Sequence, residues 1–275
     1  MCKNKEGGLM TEERKIESRL KSDFDYVTSL GYNVLGVFLQ GSQNYLLSWD
    51  GSDIDTKAIL VPSFTDFLLN KRPVSTTLIL PSNEHIDIKD IRLMHDCFRN
   101  QNINFVEILF TRYRYMNPEY ATIYQPMFNN AERIAHYNNY KAVNCIAGMV
   151  FEKRKALCHP YEGLRAKIEK YGYDNKQLHH IVRCEEFLRR YISGIPYAEC
   201  LIPTNTQHLI DIKASYIYTL EEACELADRL EAATKAIKQE YMDTHDVVID
   251  REVENIMNNV LINVLKHAFK KEIGD

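Results

Sequence analysis

This chain of 275 residues lacks several features that would have fixed its class at once. Its seven cysteines (Cys2, Cys97, Cys145, Cys158, Cys184, Cys200 and Cys224) form no Cys-x-x-Cys pair, which argues against a zinc site of the usual spacing. They are odd in number and scattered. Several fall in apolar, helix-like runs, where a thiol serves as a small hydrophobe, so a reducing, cytoplasmic setting is expected. No run of eighteen apolar residues occurs, so no membrane span is expected. Residues 1–21 are highly charged without an apolar centre and do not read as a signal peptide. Basic charge is not in excess: the net charge is −4, so bulk nonspecific binding to DNA or RNA is not expected. There is no internal repeat and no low-complexity segment.

What is present is an ordinary globular composition, 45% apolar, enough for a sizeable core. Residues 1–9 are polar, with Gly7-Gly8, and are expected to be disordered. Residues 11–30 carry helical charge patterning that stops near Gly31. Residues 34–40 are apolar and β-prone, a buried strand ending at Gly41. Residues 54–61 read as a second strand closed by Pro62, and residues 64–70 as a short helix. Residues 75–80 and 84–89 read as two further strands joined by a turn at Pro81-Ser82-Asn83. Helical period returns over 91–100, with Asp90 as its cap. The apolar stretch 105–110 fits neither period. Beyond Asn117-Pro118 strand signals almost vanish, and helices are expected over roughly 130–156, 174–194, 218–241 and 249–269, punctuated by Pro160, Pro196 and Pro203. The fold class expected is therefore α+β: a small mixed-sheet unit, then an all-helical unit.

The most informative stretch follows the first strand. Gly41-Ser42 opens a turn, a short spacer follows, and then Ser52-Asp53-Ile54-Asp55 leads into the second strand. In an extended segment Asp53 and Asp55 would share one face while Ile54 turns into the core. Two neighbouring carboxylates repel unless a cation lies between them, and Mg²⁺ favours carboxylate oxygens together with substrate phosphates. A Gly-Ser turn offers backbone N–H groups to those phosphates. Taken singly, Asp-x-Asp is a common spacing and Asp50-Gly51-Ser52-Asp53 a common polar turn. A calcium loop would place its glycine after the acidic pair and a Glu further on, which this stretch does not. The joint pattern of strand, Gly-Ser, spacer, Asp-x-Asp and strand is far rarer than its parts. A third acidic group comes from residues 84–89, where Ile86 and Ile88 alternate with Asp87. The competing reading leaves Asp87 on a solvated face, paired with Lys89. If the strand lies beside 54–61, Asp87 joins Asp53 and Asp55.

These residues resemble the signature of the polymerase-β-type nucleotidyltransferase superfamily. More narrowly, the chain is similar to a bacterial and phage group of predicted nucleotidyltransferases, whose Gly-Ser is followed by Asn/Ala-Tyr-Gly and later by Asn-x-x-x-Glu-Leu-Leu-Phe. The counterparts here are Asn44-Tyr45 and Asn104-Phe105-Val106-Glu107-Ile108-Leu109-Phe110, and Lys176, His180 and Arg183 match a Lys-x-x-x-His-x-x-Arg pattern of that group. The chain departs at Leu46, where the group has Gly, and in the spacer Trp49-Asp50-Gly51; neither touches an implied metal ligand. The resemblance implies a palm-like nucleotidyltransferase domain at 10–116 and a helical domain at 117–275 that completes the nucleotide and acceptor cleft. It implies nucleoside monophosphate transfer from a nucleoside triphosphate to an acceptor hydroxyl (an RNA 3′ end, a protein or a small molecule), releasing pyrophosphate. Asp53, Asp55 and Asp87 would be catalytic and hold Mg²⁺ or Mn²⁺, while Gly41, Ser42, Asn44, Tyr45, Lys176, His180 and Arg183 would bind the nucleotide.

The three helical positions also carry weight by spacing alone, since i, i+4 and i+7 place them on one stripe. An Arg fork and a Lys point charge suit triphosphate oxygens, and a histidine can donate to a phosphate. His179 points elsewhere on the same helix. The basic run Lys153-Arg154-Lys155 through Arg165 and Lys167 reads first as a solvated surface, and second as a surface for an RNA or protein acceptor. The alternatives to an enzyme of this class are a non-catalytic nucleotide-binding or regulatory protein, a metal phosphohydrolase, which would add histidine ligands where only His85 lies near, and an interaction module.

Overall fold

The structure, a computed structural model, describes residues 12–49, 52–82 and 84–274. The polar residues 1–9, Cys2, Asp50-Gly51 of the spacer and Asn83 of the turn lie outside the described residues.

Helix α1 (Glu12–Ser29) leads into β1 (Val34–Gln40), a 3-10 turn over Ser42–Tyr45, β2 (Asp55–Leu60), α2 (Phe64–Leu68), β3 (Ser75–Ile79), β4 (His85–Asp90), α3 (Ile91–Arg99) and α4 (Ile103–Val106). Strand β5 (Arg114–Met116) follows, and then the helices α5 (Pro118–Asn129), α6 (Ala131–Ala135), α7 (Asn139–Ala156), α8 (Arg165–Tyr171), α9 (Asn175–Ile192), α10 (Tyr197–Cys200), α11 (Thr206–Ala214), α12 (Leu220–Thr244) and α13 (Arg251–Ile273). Among the described residues no strand follows Met116, and the class is α+β. The sheet is mixed, in the order β3-β4-β2-β1-β5; β2 and β4 run parallel and the other neighbours antiparallel.

Each face of the sheet has its own core. Val37, Leu39, Ala58, Leu60, Ile86 and Ile88 pack on the side that carries Ile16, Leu20 and Val27 of α1. A register shift between Val34 and Gly36 breaks the strict alternation, so Val34 joins Val37 on that side while Leu35 joins Phe38 on the other. Leu35, Phe38 and Ile59 belong to a second core that runs without interruption into Tyr120, Val143, Ile181 and Val260 of the helices. The last helix returns to the first half: Phe269 of α13 meets Phe64 and Phe67 of α2 with ring centroids 5.5 and 5.2 Å apart, and His95 Nε2 lies 2.8 Å from Asn258 Oδ1.

Most expected elements appear within a residue or two of their sequence bounds. The stretch 105–110 forms the end of α4 and a 3-10 turn over Glu107–Leu109. The helix expected over 130–156 is two, because Asn138 interrupts it and caps α7 by accepting from the Lys141 amide at 2.9 Å. The basic run is laced to its own chain: Arg154 to Asp228 at 2.6 Å, Lys153 to Glu152 at 2.9 Å and Lys167 to Asp174 at 3.2 Å. No helix of the described residues is long and apolar enough to cross a membrane.

Gly36 sits where β1 passes β5. A Cβ there would stand 2.9 Å from Met116 Sδ and 3.1 Å from the Tyr115 carbonyl oxygen. The thioether can yield but the strand carbonyl cannot, so Gly36→Val is expected to cost about 1–3 kcal/mol, read as a lower midpoint in urea unfolding with an unchanged slope.

Candidate active site

The cleft opens where β1 ends. Gly41 has φ 86° and ψ −153°, a conformation that excludes other residues, and it swings the chain into the 3-10 turn. Asn44 is the strut of that turn. Its Nδ2 donates to the Leu39 carbonyl at 2.8 Å and its Oδ1 accepts from Thr111 Oγ1 at 2.7 Å, so both polar ends are spent within the protein. Asn44 was expected to meet the nucleotide; the structure gives it this supporting role instead. The turn closes at Leu46 in a left-handed conformation, φ 59°. That is the position where the resemblance expects glycine, and the side chain costs roughly 1–2 kcal/mol there.

Gly41, Ser42 and Tyr45 line a cleft of about 370 Å³ between the sheet and the helices, together with Asp55, Asp87, Lys176, His180 and Arg183. Asp53 and Asn44 do not line it. The reason for Asp53 is local: β2 begins at Asp55, so Asp53 lies in the preceding loop, exposed, and does not share the strand's alternation. Its backbone carbonyl accepts from Gln43 Nε2 at 2.6 Å. Ile54 does turn inward, against the α1-side core.

Asp55 and Asp87 are not equivalent. Asp55 Oδ1 is buried with no hydrogen-bond partner, His85 Nδ1 standing off at 3.6 Å. Asp55 Oδ2 would be 3.8 Å from a Cβ placed on Gly41, so this carboxylate and the Gly-Ser turn are neighbours. Asp87 is held instead by Lys57, whose Nζ donates to its Oδ2 at 2.7 Å. The parallel register sets Lys57 directly opposite Asp87. The pairing of Asp87 with Lys89 weighed from sequence does not form, since Lys89 donates to Ser75 Oγ at 2.7 Å. Among the described residues no three His, Cys, Asp or Glu side chains gather closely enough to hold a metal ion. The donor set fits one hard cation on the free Asp55 oxygen, completed by ligand phosphates. It does not fit a preassembled three-carboxylate site.

Helix α9 supplies the opposite wall. Asp174 caps it by accepting from the Lys176 amide at 3.1 Å, which fixes the stripe below. Lys176 is exposed at the mouth, whereas Arg183 is only 5% exposed. The Arg183 guanidinium lies 4.3 Å from the Tyr45 ring centre, and its Nη1 is buried without a partner. His180 Nδ1 is likewise buried and unpartnered. Burial, and then the charge of Arg183, push the His180 imidazole well below its ordinary range, so it is neutral. His179 was expected to point away; it lines the cleft as well, with Nδ1 2.9 Å from the Leu209 carbonyl, and burial lowers it to about 4.

Sequence reasoning passed over three further residues. Lys57 follows Asp55 at the same alternation, and that was its one signal. Lys213 of α11 lines the cleft with Nζ 4.4 Å from the Trp49 ring centre, and nothing in the sequence tied it to the site. Glu107 was noted only as part of a matching motif. It is 4% exposed, accepts from the Gly41 amide and carries an unpartnered Oε2. Burial raises it to about 8, against the opposing pull of Arg183. At neutral pH Glu107 is therefore mostly uncharged, and four cationic side chains (Lys57, Lys176, Arg183, Lys213) face two lining aspartates. The cleft has an excess of positive charge suited to a polyanion.

No family profile and no curated protein sequence matches the chain. Among solved structures it matches a nucleotidyltransferase-like protein from Exiguobacterium sibiricum, with 10% identity and a TM-score of 0.29, over 91% of this chain and 80% of that one. The functional reading therefore rests on the cleft's own residues.

Glu107 gives the site a pH signature. The folded protein keeps its proton up to about pH 8, while the unfolded chain releases it near 4.5. Stability is therefore lost as pH rises from about 4.5 to 8, by at least ~1 kcal/mol. Glu107→Gln removes that loss, so the melting temperature of the variant minus that of the wild type is expected to grow between pH 5 and pH 8.5 in parallel thermal scans.

Proposed function

We propose that the protein is a Mg²⁺-dependent nucleotidyltransferase. It would move a nucleoside monophosphate from a nucleoside triphosphate to an acceptor hydroxyl, on an RNA 3′ end, a protein or a small molecule, and release pyrophosphate. Residues 10–116 would form a palm-like catalytic domain, and 117–275 the helical domain that completes the cleft. The observation that carries this reading is the pairing of a cation-rich wall with an unpartnered carboxylate oxygen on Asp55, beside the Gly41-Ser42 turn.

The residues divide the work by their charge. Arg183 and Lys176 suit the triphosphate oxygens, the first as a buried fork and the second as a mobile point charge. Neutral His180 adds a hydrogen bond without adding charge. Ser42, which lines the cleft from the turn, would meet the phosphates. Asp55, with Asp53 beside it in sequence, would hold the Mg²⁺, which when bound offsets charge on the reacting phosphate and the departing pyrophosphate. Asp87 would lie toward the acceptor, where its free oxygen can take the hydroxyl proton. A second reading is a nucleotide-binding protein without turnover, favoured by the ion pair that already occupies Asp87.

The readings separate in one experiment. Each of the four α-labelled nucleoside triphosphates is offered with Mg²⁺ and with RNA, protein or small-molecule fractions of a cell lysate. Transfer of label with matching pyrophosphate release is expected; binding with neither outcome establishes the second reading. Asp55→Asn is expected to reduce transfer at least ~100-fold while leaving the melting temperature within a few degrees. Arg183→Ala is expected to weaken nucleotide binding about tenfold or more, since it removes charge-assisted bonds in a buried setting, as read by equilibrium dialysis of labelled nucleotide.

A further inference from the structure

Lys57 is the least expected side chain in the cleft. Only 2% of it is exposed, and it lies in the middle of a strand that continues into the buried Ala58, Ile59 and Leu60. Its ammonium group is enclosed on two sides. Asp87 Oδ2 accepts from Nζ at 2.7 Å, and the Phe105 ring centre lies 3.8 Å away. Nζ makes one hydrogen bond, so two of its three donors remain for a ligand in the cleft that it lines. The sheet holds this arrangement from both sides, because Lys57 faces Phe38 of β1 and Asp87 of β4 in register.

Two-metal phosphoryl transfer uses a pair of dications about 3.5–4 Å apart, bridged by carboxylates. Here the carboxylate available to bridge to a second ion is already neutralised by a fixed monocation. A further dication beside Asp87 would lie within a few ångströms of Nζ, and like charges at such range repel strongly inside a protein. The Asp55 oxygen, by contrast, is buried and unpartnered. The buried Nη1 of Arg183, lining the same cleft, also lacks a partner. The geometry therefore offers one unpartnered carboxylate oxygen to a cation, on Asp55, and supplies one cation of its own, on Lys57.

Resting on the nucleotidyl-transfer reading, we propose that the Lys57 ammonium is the resident cation of the acceptor side of this site. It takes the place of a second divalent ion, so that nucleotide binding recruits a single Mg²⁺ on Asp55. Lys57 donates to the phosphate undergoing attack, and Asp87 both fixes that ammonium and faces the acceptor.

The test counts metal ions instead of turnover. Mn²⁺ is titrated into the full chain by equilibrium dialysis in the presence of the α,β-methylene analogue of ATP, GTP, CTP or UTP, each in turn, with Asp55→Asn as the blank. One Mn²⁺ per chain is expected for the wild type with an analogue that binds, and one for Lys57→Arg, which keeps the charge. Lys57→Met, which frees Asp87, is expected to bind two. Two ions on the wild type overturn the proposal while leaving nucleotidyl transfer intact. No Mn²⁺ with any of the four analogues overturns both. The wild-type count decides the matter even where the methionine variant does not fold.

Discussion

A lysine can keep its charge inside a sheet only if an anion meets it there, and the register of β2 against β4 satisfies that condition. Lys57 and Asp87 are thirty residues apart in sequence and lie directly opposite each other in a parallel pair. Removing Asp87 would strand the buried ammonium, whereas Asp87 itself, about a fifth exposed, could still reach water in the cleft. Asp87 is in turn held at both ends of its strand. The antiparallel pairing with β3 aligns the entry at His85 with Ile79. At the exit, Asp90 caps α3 by accepting from the Arg92 amide at 2.8 Å, and it pairs with the Arg92 guanidinium at 2.7 Å. The ion pair thus ties the order of the strands to the charge of the cleft.

The rest of the cleft follows from how each buried polar group is balanced. Arg183 finds the face of Tyr45 in place of a carboxylate, because the nearby acid, Glu107, is held largely neutral by burial. A neutral Glu107 still fixes the Gly41 amide, so it orients the turn without cancelling the positive charge above it. His179 and His180 are neutral for the same reason, which keeps the local field set by the lysines and the arginine. The orphaned polar atoms on Asp55, Arg183, His180 and Glu107 cluster around one cavity. Buried polar groups are usually satisfied, and a cluster of exceptions marks the place where a polar ligand would complete the bonding.

The sequence revealed those parts of this arrangement that repeat or cap. Strands β1, β2 and β4 were legible because Val, Ile and Leu alternate or run together between turn residues, and Asp90 was legible as a cap. Asp55 was singled out by the Asp-x-Asp that follows the Gly-Ser turn, and Asp87 by its alternation with Ile86 and Ile88. Asp53 falls outside the strand's alternation because the period-two reading ran past the true start of β2. Lys57 was missed because its partner lies on another strand, and a pairing register is not written in either strand alone. Strand β5, only Arg114–Met116, and the short helices α8 and α10 hold too few residues to show a period, while α11, as long as α3, gathers its apolar residues on one face much more weakly. Lys213, which sits on α11, went unnoticed with it.

The division at residue 117 is one of texture more than of packing. The composition turns helical there, yet the core that begins at Leu35 and Phe38 continues through Tyr120 and Tyr124 of α5 into α7 and α9. The closing helix α13 comes back to seat Phe269 against the rings of α2. Such continuity matters to a site whose acids come from the sheet and whose cations come largely from α9 and α11. If the two halves moved freely, Arg183 would leave Tyr45 and Lys213 would leave Trp49, and each charge would return to water with no fixed partner. Packing across the boundary holds the cationic wall at a set distance from Asp55. That distance determines whether one polyphosphate can touch both sides at once.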